Sequence, residues 1–370
     1  MHADRRARAQ GHLHSLDLDA LIVGHPPNIR YLTGLNASAG LLVLGVRACV
    51  LIVDFRYATT ARALADATEG LSVVVGEGAL DAAVPPVLGR LGAGRVGVEG
   101  EHLTLGRFNR LSSALTVSEL QPLASDERAP ALVTTERVVE RMRAVKDGAE
   151  IETMREAGRR ISAVARKART WVRPGLTEQA IAAAVDAAMR EAGFERPAFE
   201  TIVASGENGA LPHARPTGRV VQDRDGVLLD FGGVYDGYCV DLSRTLHIGP
   251  MPAPFRRLFE AVREAQAAAI GEVRAGALPA AIDAAARRVL ERHGLGEAFG
   301  HGTGHGLGLE VHEEPRLSRL APGAEPVQAG MIVTIEPGAY VAGIGGVRIE
   351  DDVLVTAEGC ERLTDVPIEL

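Results

Sequence analysis

A histidine-rich stretch is the part of the chain whose residue types most clearly suggest chemistry. The segment "FGHGTGHGLGLEVHEEP", residues 299–315, places His301, His305 and His312 among closely spaced glycines. Two histidines four residues apart can bind zinc from a helix, but each glycine costs a helix about 1 kcal/mol relative to alanine. The stretch therefore predicts an extended segment whose glycines let another backbone approach closely. Its spacing matches neither G-x-G-x-x-G nor a G-K-[ST] ending, which argues against a phosphate loop.

Two acids in a second segment supply oxygen ligands. The sequence "DFGGVYDGYCVD" predicts two strands joined by a tight turn. A loop of Tyr235-Asp236 would place Asp230 directly opposite Asp241, and a loop of Asp236-Gly237 would make the two acids diagonal neighbours. Either register puts both acids on one face of a largely apolar sheet, where two like charges need a cation between them.

A second pair of acids follows the same pattern. Glu336 ends an apolar run in "TIEPG", and in "GVRIEDD" strand alternation places Arg348 and Glu350 on one side. An ion pair with a lysine or arginine such as Arg244 would explain the first two acids alone. Four acids and one imidazole in apolar sequence favour two divalent ions, manganese first, with cobalt or zinc as alternatives. Paired ions can activate water and polarise a carbonyl, which is hydrolytic chemistry.

Composition restricts the class of protein. A chain of 370 residues is long enough for two domains, each with its own core. The net charge of −8 argues against a nucleic-acid partner. Three well-separated cysteines without a C-x-x-C motif predict a reducing cytoplasm rather than a disulfide framework. The apolar runs are short and the basic start leads into no apolar region, so we expect neither a signal peptide nor a membrane span.

Two regions with different patterns must position the candidate residues. Residues 18–125 alternate short apolar runs with helical stretches, which is typical of an α/β layer domain. The charged segment "LASDERAPALVTTERVVERMRAVKDG" is predicted to be helical and to bridge to the second region. We place the domains at residues 1–128 and 129–370. Asp147 and Glu150 have the spacing of a capping box and predict the start of a helix.

The second region contains an internal similarity. The segments "VRPGLTEQAIAAAVDAAMREAG" and "VRAGALPAAIDAAARRVLERHG" align at a constant offset of 101 residues, each as a turn, a helix and a closing glycine. Strand-like sequence follows each copy, with Asp230 and Asp241 after the first and Glu336 and Glu350 after the second. Two similar halves packed face to face would bring both pairs of acids to a pseudo-two-fold axis. Coincidental similarity of two helices is the alternative interpretation.

Several motifs, in matching order, resemble one known family. The segments "HGTGHGLGLEVHEEP", "GMIVTIEPGAY", "GVRIEDD" and "DFGGVYDGYCVDLSRT" resemble signatures of the pita-bread metallopeptidases: prolidase (Xaa-Pro dipeptidase), aminopeptidase P and methionine aminopeptidase. The earlier "DALIVGHPPNIRYLTGLNASAGLLVLG" is similar to the N-terminal domain of prolidases, aminopeptidases P and creatinases. The resemblance implies an α/β (α+β) fold, with a creatinase-like N-terminal α/β domain and a pita-bread catalytic domain that carries the pseudo-two-fold duplication.

The resemblance also implies a role for each candidate residue. Five residues would hold two divalent metal ions, one chelated by Asp230, both bridged by Asp241 and Glu350, and the other bound by His305 and Glu336. Glu336 would also shuttle a proton, and His213 and His312 would lie near the substrate carbonyl. His301 and Arg348 would line or orient the substrate site.

The implied function is hydrolysis of the Xaa-Pro bond of dipeptides, by a cytoplasmic homodimer. Aminopeptidase P activity on longer peptides is the first alternative, although the compact chain and "EVHEEPRLS" favour prolidase. Arg316 and Arg319 are both candidates for binding the free carboxylate of the proline. The N-terminal domain disfavours methionine aminopeptidase. A non-catalytic binding module is the alternative of another class, and the complete set of metal ligands argues against it.

Overall fold

The computed structural model describes residues 1–117, 131–320 and 325–368. The chain forms two compact units, Met1–Arg143 and Ala144–Leu370. The domain boundary predicted at residues 128 and 129 lies outside the described residues. Within the described ranges, no helix is both long enough and apolar enough to cross a membrane.

The first unit is built on a mixed sheet. Its strands are β1 (Ala20–Val23), β2 (Leu41–Gly45), β3 (Cys49–Val53), β4 (Leu71–Val75), β5 (Arg95–Glu99) and β6 (Ala131–Thr135). Its helices are α1 (His2–Ser15), α2 (Pro26–Thr33), α3 (Ala58–Asp66), α4 (Val84–Leu91) and α5 (Leu105–Val117), and α6 (Val138–Ala144) follows them. The strand order is β4-β3-β2-β1-β5-β6, in which β2 is antiparallel to both of its neighbours and the other pairs are parallel.

The α/β pattern predicted for the first region is confirmed, with one correction. The helical prediction for the bridging segment is wrong at Ala131–Thr135, because these residues form β6. Their sequence "ALVTT" is rich in β-branched residues and pairs in parallel with β5. Such a pairing joins segments more than 30 residues apart, so the local pattern of charge could not reveal it.

The second unit contains two sheets, and helices pack against each of them. Its helices are α7 (Gly148–Arg166), α8 (Ala168–Trp171), α9 (Glu178–Glu191), α10 (Ala253–Glu272) and α11 (Pro279–Arg292). Its strands are β7 (Arg196–Pro197), β8 (Ile202–Ser205), β9 (Gly226–Tyr235), β10 (Tyr238–His247), β11 (Gly304–Gly306), β12 (Glu313–Leu317), β13 (Ile332–Ile335), β14 (Gly338–Val341), β15 (Gly345–Arg348), β16 (Asp351–Val355) and β17 (Cys360–Arg362). One sheet has the order β10-β9-β7 with β8 also paired to β9, another has the order β12-β11-β13-β16-β17, and β14 pairs with β15.

The predicted duplication is present in this unit. Helices α9 and α11 begin and end 101 residues apart, and each is followed by a glycine with positive φ, 90° at Gly193 and 71° at Gly294. In the first half, α7 and α9 share an apolar core with β9 and β10. In the second half, α10 and α11 share one with β13, β15 and β16. Because a helix pair packed on a sheet occurs in both halves, the similarity is not confined to helices α9 and α11, and the alternative of a coincidence between these two helices is wrong.

The predicted capping box also forms. The Asp147 carboxylate accepts the backbone N–H of Glu150 at 3.0 Å, and the Glu150 carboxylate accepts that of Asp147 at 2.9 Å. Helix α7 therefore begins at Gly148, and its residues Met154 and Ile161 are fully buried against the sheet. The start of the helix and its apolar face both follow from local sequence.

Candidate metal centre

The long hairpin of β9 and β10 positions the first two acids. Its loop is Asp236-Gly237, and both residues have positive φ, 45° and 77°, as a type I′ turn requires. Asp230 lies opposite Ser243, which is two places from Asp241 on the same face. The two acids are therefore diagonal neighbours, the second of the two registers that the sequence allowed.

Four of the predicted ligands converge from different segments. One ligand atom each of Asp241, His305 and Glu350 lies within 4.8 Å of the other two. The Nε2 atom of His305 lies 3.4 Å from Oε1 of Glu336 and 4.0 Å from Oδ2 of Asp241. Donor atoms from both halves of the duplicated unit thus meet at one place.

Arg348 connects the fifth predicted ligand, Asp230, to this cluster. Its guanidinium donates to Oδ2 of Asp230 at 2.5 Å and to the hydroxyl of Ser243 at 2.9 Å. The Ser243 hydroxyl donates in turn to Oε2 of Glu350 at 2.7 Å. Because Arg348 is only 3% exposed, these contacts orient two acids from inside the protein.

Arginine does not neutralise the whole cluster. Arg244, the counter-ion considered from the sequence, is buried and donates to Oδ1 of Asp351 at 2.7 Å instead. Of the described residues, no lysine or arginine forms an ion pair with Asp241, Glu336 or Glu350. Ion pairing with Arg348 therefore accounts for Asp230, while the other three acids have no direct ion pair with a described lysine or arginine.

Burial makes these acids costly to ionise together. Burial first, and then the charges of Glu350 and Asp230, raise the pKa of Asp241 well above its ordinary value. Burial also raises the pKa of Glu336 to about 8, and burial followed by the charge of Glu336 raises the pKa of Glu350 well above its ordinary range. Burial lowers the pKa of the His305 imidazole to about 4, so at neutral pH its ring is uncharged and able to bind a metal.

Oxygen atoms without partners support a cation at this place. Oδ1 of Asp230, Oδ1 of Asp241 and Oε1 of Glu350 are buried and have no hydrogen-bond partner among the residues that the structure describes. A buried acceptor of this kind costs free energy unless a cation or water meets it. Carboxylate oxygens with a single imidazole suit hard or borderline divalent ions. The residues therefore fit a divalent metal centre.

The remaining predicted histidines surround the acids. The ring of His312 packs edge-on against that of His305, with centroids 4.4 Å apart. His301 lies with Nε2 3.1 Å from the hydroxyl of Tyr340. Burial lowers the pKa of His301 to about 4, and the exposed His213 follows Pro212, whose carbonyl accepts a hydrogen bond from Arg348 at 3.2 Å. His312 therefore contacts His305 directly, and Arg348 links His301 and His213 to the acids, because it donates to Tyr340 and to the carbonyl of Pro212.

Glycines allow the strand that carries His305 to pass between two others. The extended prediction is confirmed for Gly304–Gly306, which form β11, while the rest of residues 299–309 is irregular. A Cβ atom on Gly304 would collide with the carbonyl oxygen of Thr334, and one on Gly306 with that of Glu314. The close backbone approach expected from the glycines is therefore confirmed.

Gly304→Ala is expected to lower the free energy of unfolding by about 1–3 kcal/mol, because the new Cβ atom would force β11 away from β13. Thermal or urea unfolding of the purified variant measures this loss. Gly300→Ala is the matched control, since no atom of the described part of the chain lies within 4 Å of a Cβ atom at Gly300. Equal stability of the two variants would show that the close approach is not needed.

Sequence reasoning missed residues that complete the centre. Ser243 lies two places after Asp241, so strand alternation could have placed it on the same face. Tyr340 accepts a hydrogen bond from Arg348 at 2.6 Å, through a β14–β15 pairing that no local pattern revealed. Asp352 accepts the backbone N–H of Asp241 at 3.1 Å from behind the cluster.

Comparison with known families agrees with this arrangement. Residues 152–357 match the profile of metallopeptidase family M24. The chain belongs to metallopeptidase family M24. Residues 5–145 of this M24 protein match the Creatinase/Prolidase N-terminal domain. The family and the fold class that the sequence predicted are therefore confirmed.

Relatives of this M24 protein cover it almost completely. The Xaa-Pro dipeptidase of Pyrococcus horikoshii is 32% identical over 95% of this chain and 94% of its own length. The structure of an Xaa-Pro dipeptidase from Bacillus anthracis matches with a TM-score of 0.92 and 32% identity, covering 100% of this chain and 99% of the other. The structure of an X-Pro aminopeptidase from Thermotoga maritima matches with a TM-score of 0.84 and 32% identity, covering 96% of this chain and 98% of the other. These similarities do not support a non-catalytic binding module.

Proposed function

We propose that this M24 protein is an Xaa-Pro dipeptidase, or prolidase, with two divalent metal ions in its catalytic centre. The observation that carries the proposal is the convergence of buried carboxylates with the neutral imidazole of His305. The ligands would be Asp230, Asp241, His305, Glu336 and Glu350. Manganese is the first choice for the metal, with cobalt or zinc as alternatives.

The metal ions and Glu336 would have separate roles in hydrolysis. When bound, the two ions would supply an activated water and polarise the carbonyl of the scissile bond. Glu336 would take a proton from the attacking water and pass it to the proline nitrogen as the C–N bond breaks. That nitrogen has no hydrogen in an Xaa-Pro bond, so it must gain one to leave as an amine.

Three histidine side chains would contact the substrate. His213 and His312 would donate hydrogen bonds to the oxygen of the tetrahedral intermediate, a contribution of about 3–4 kcal/mol for each donor. His301 would line the substrate site, where its contact with Tyr340 fixes the ring.

Arg316 is the preferred candidate for binding the free carboxylate of a dipeptide. It lies opposite His305 in the β11–β12 ladder and is exposed. Residues directly opposite each other in an antiparallel ladder share a face, so Arg316 lies on the face of the ladder that carries His305. Arg319 follows the end of β12 and is therefore outside this ladder.

Arg316→Ala is expected to raise KM for Ala-Pro about 10–100-fold with little change in kcat, because a charge-assisted contact with the carboxylate of about 1.5–3 kcal/mol is lost. Steady-state kinetics on Ala-Pro and on its C-terminal amide measure the effect, and the amide should be insensitive. Arg319→Ala is the control and should behave like the wild type. Equal effects of the two substitutions would contradict the assignment.

Hydrolysis of defined peptides tests the function itself. Ala-Pro, Leu-Pro and an Xaa-Pro-Xaa tripeptide are assayed with added manganese and then with a chelator. We expect metal-dependent cleavage of the dipeptides alone. Release of the N-terminal residue from the tripeptide would instead indicate aminopeptidase P activity, and no cleavage of any peptide by the metal-loaded protein would refute both.

We propose that the protein works as a homodimer in the cytoplasm. The cytoplasmic proposal is supported by Cys49, Cys239 and Cys360, which are all free thiols. Light scattering of the purified protein at micromolar concentration checks the dimer.

A further inference from the structure

We infer that Glu178, which lies outside the metal cluster, is a positioning residue for the segment that carries His213. This inference rests on the proposed function, because it assigns to His213 a contact with the substrate. The segment, residues 205–217, is called the His213 segment below. Glu178 is the first residue of α9 and is completely buried.

All the hydrogen-bond donors that reach Glu178 come from the His213 segment. Its Oε1 atom accepts the backbone N–H and the hydroxyl of Ser205, at 2.7 and 2.8 Å. Its Oε2 atom accepts the backbone N–H and the hydroxyl of Thr217, at 2.9 and 2.6 Å. The amide of Asn208 donates to both oxygens, at 3.1 and 3.2 Å. One carboxylate thus joins the two ends of the segment and a point within it.

The charge of Glu178 strengthens this anchor. Burial would raise the pKa of Glu178, but the hydrogen bonds from Thr217 and Ser205 outweigh it and the pKa is lowered. The carboxylate is therefore ionised at neutral pH, and hydrogen bonds to an ionised acceptor are roughly twice as strong as neutral ones. The position at the N-terminus of α9 favours the same charge.

The middle of the His213 segment contacts Arg348, a residue of the metal centre. Between its ends lie a 3₁₀ turn, Gly206–Ala210, and a turn in which the N–H of Ala214 donates to the carbonyl of Leu211 at 3.2 Å. The carbonyl of Pro212 accepts a hydrogen bond at 3.2 Å from Arg348, the residue that orients Asp230. His213 is exposed, so the backbone of the segment fixes the Cα and Cβ positions from which its ring extends.

The second half of the unit contains a similar arrangement. Asp283 of α11 is completely buried and accepts the backbone N–H and the hydroxyl of Thr303, at 3.0 and 2.9 Å. It also pairs with Arg287, which donates to the carbonyl of Phe299 at 3.0 Å and to that of His301. The corresponding helix of each half therefore uses a buried acid to hold a segment with a substrate-side histidine. The recurrence argues that holding these segments serves the site.

Glu178→Gln tests the inference with nearly the same side-chain volume. The substitution removes the charge and turns one acceptor into an NH₂ group that faces N–H donors. We expect kcat for Ala-Pro to fall about 10–100-fold while KM changes less than about threefold, as for other residues that orient catalytic groups. Metal content should stay at the wild-type level, and backbone amides of the His213 segment should exchange hydrogen faster.

A double variant separates positioning from general stability. If Glu178 acts through His213, Glu178→Gln combined with His213→Ala should be no slower than His213→Ala alone. Asp186→Asn is the matched control on the same helix, because Asp186 accepts the hydroxyl of Thr201 at 2.5 Å, before the segment begins. It should leave both kcat and the exchange of the segment unchanged.

Each outcome decides for or against the inference. Unchanged kcat and unchanged amide exchange in Glu178→Gln would overturn it, and so would losses that multiply in the double variant. If Glu178→Gln does not fold, Thr217→Val removes one hydroxyl donor from the other side and should cause a smaller loss of the same kind. If the wild type cleaves no Xaa-Pro peptide, the proposed function fails, and amide exchange still reports whether Glu178 holds the segment.

Discussion

Asp241→Ala is expected to abolish metal-dependent hydrolysis of Ala-Pro, with kcat/KM falling by at least about a thousandfold, or about 4 kcal/mol of barrier. Asp241 lies with His305 and Glu350 in the group whose donor atoms converge, and neither of the other two can replace its oxygens. Steady-state kinetics at saturating manganese, together with the metal content of the purified variant, measure the loss.

The same variant should remain folded. Burial and the charges of Glu350 and Asp230 raise the pKa of Asp241, so its ionised carboxylate opposes the folded state unless a cation is bound. Removing that charge takes away a repulsion, and circular dichroism should match the wild type. Asp236→Asn is the matched control, because this exposed turn residue in the same hairpin tolerates asparagine at positive φ. Near wild-type turnover by Asp241→Ala would refute the assignment of the ligands.

Removal of divalent metal is expected to have the second large effect. A chelator should stop hydrolysis, and it should also lower the melting temperature, because buried oxygens of Asp230, Asp241 and Glu350 lose the cation they face. Metal at a hundred times its Kd stabilises the folded state by about 2.7 kcal/mol for one site. For a unit of this size that corresponds to roughly 5–10 °C in melting temperature.

Calorimetric titration of the metal-free protein with manganese, cobalt and zinc gives affinity and stoichiometry together. We expect two ions for each chain. The same titration of Asp241→Ala is the control for binding elsewhere and should show most of the heat of metal binding lost. Full activity in excess chelator would contradict a metal-dependent mechanism, and a stoichiometry of one would contradict the paired ions.

Much of this protein could be read from local patterns. Strand alternation predicts that Asp230 and Asp241 share a face in either two-residue loop, because side chains repeat every two residues along each strand. The helix start at Gly148 follows from the capping box of Asp147 and Glu150, which involves neighbours only. The offset of 101 residues between α9 and α11 is likewise visible in the one-dimensional string.

Contacts between distant segments were decided by tertiary structure alone. The addition of β6 to the sheet and the pairing of Arg244 with Asp351 rather than with Asp230 or Asp241 both join residues far apart in the chain. A periodic pattern specifies which face a residue occupies but not which partner it meets there. That choice depends on how the whole core packs and on which buried charges can be satisfied together, as Arg348 and Glu178 illustrate.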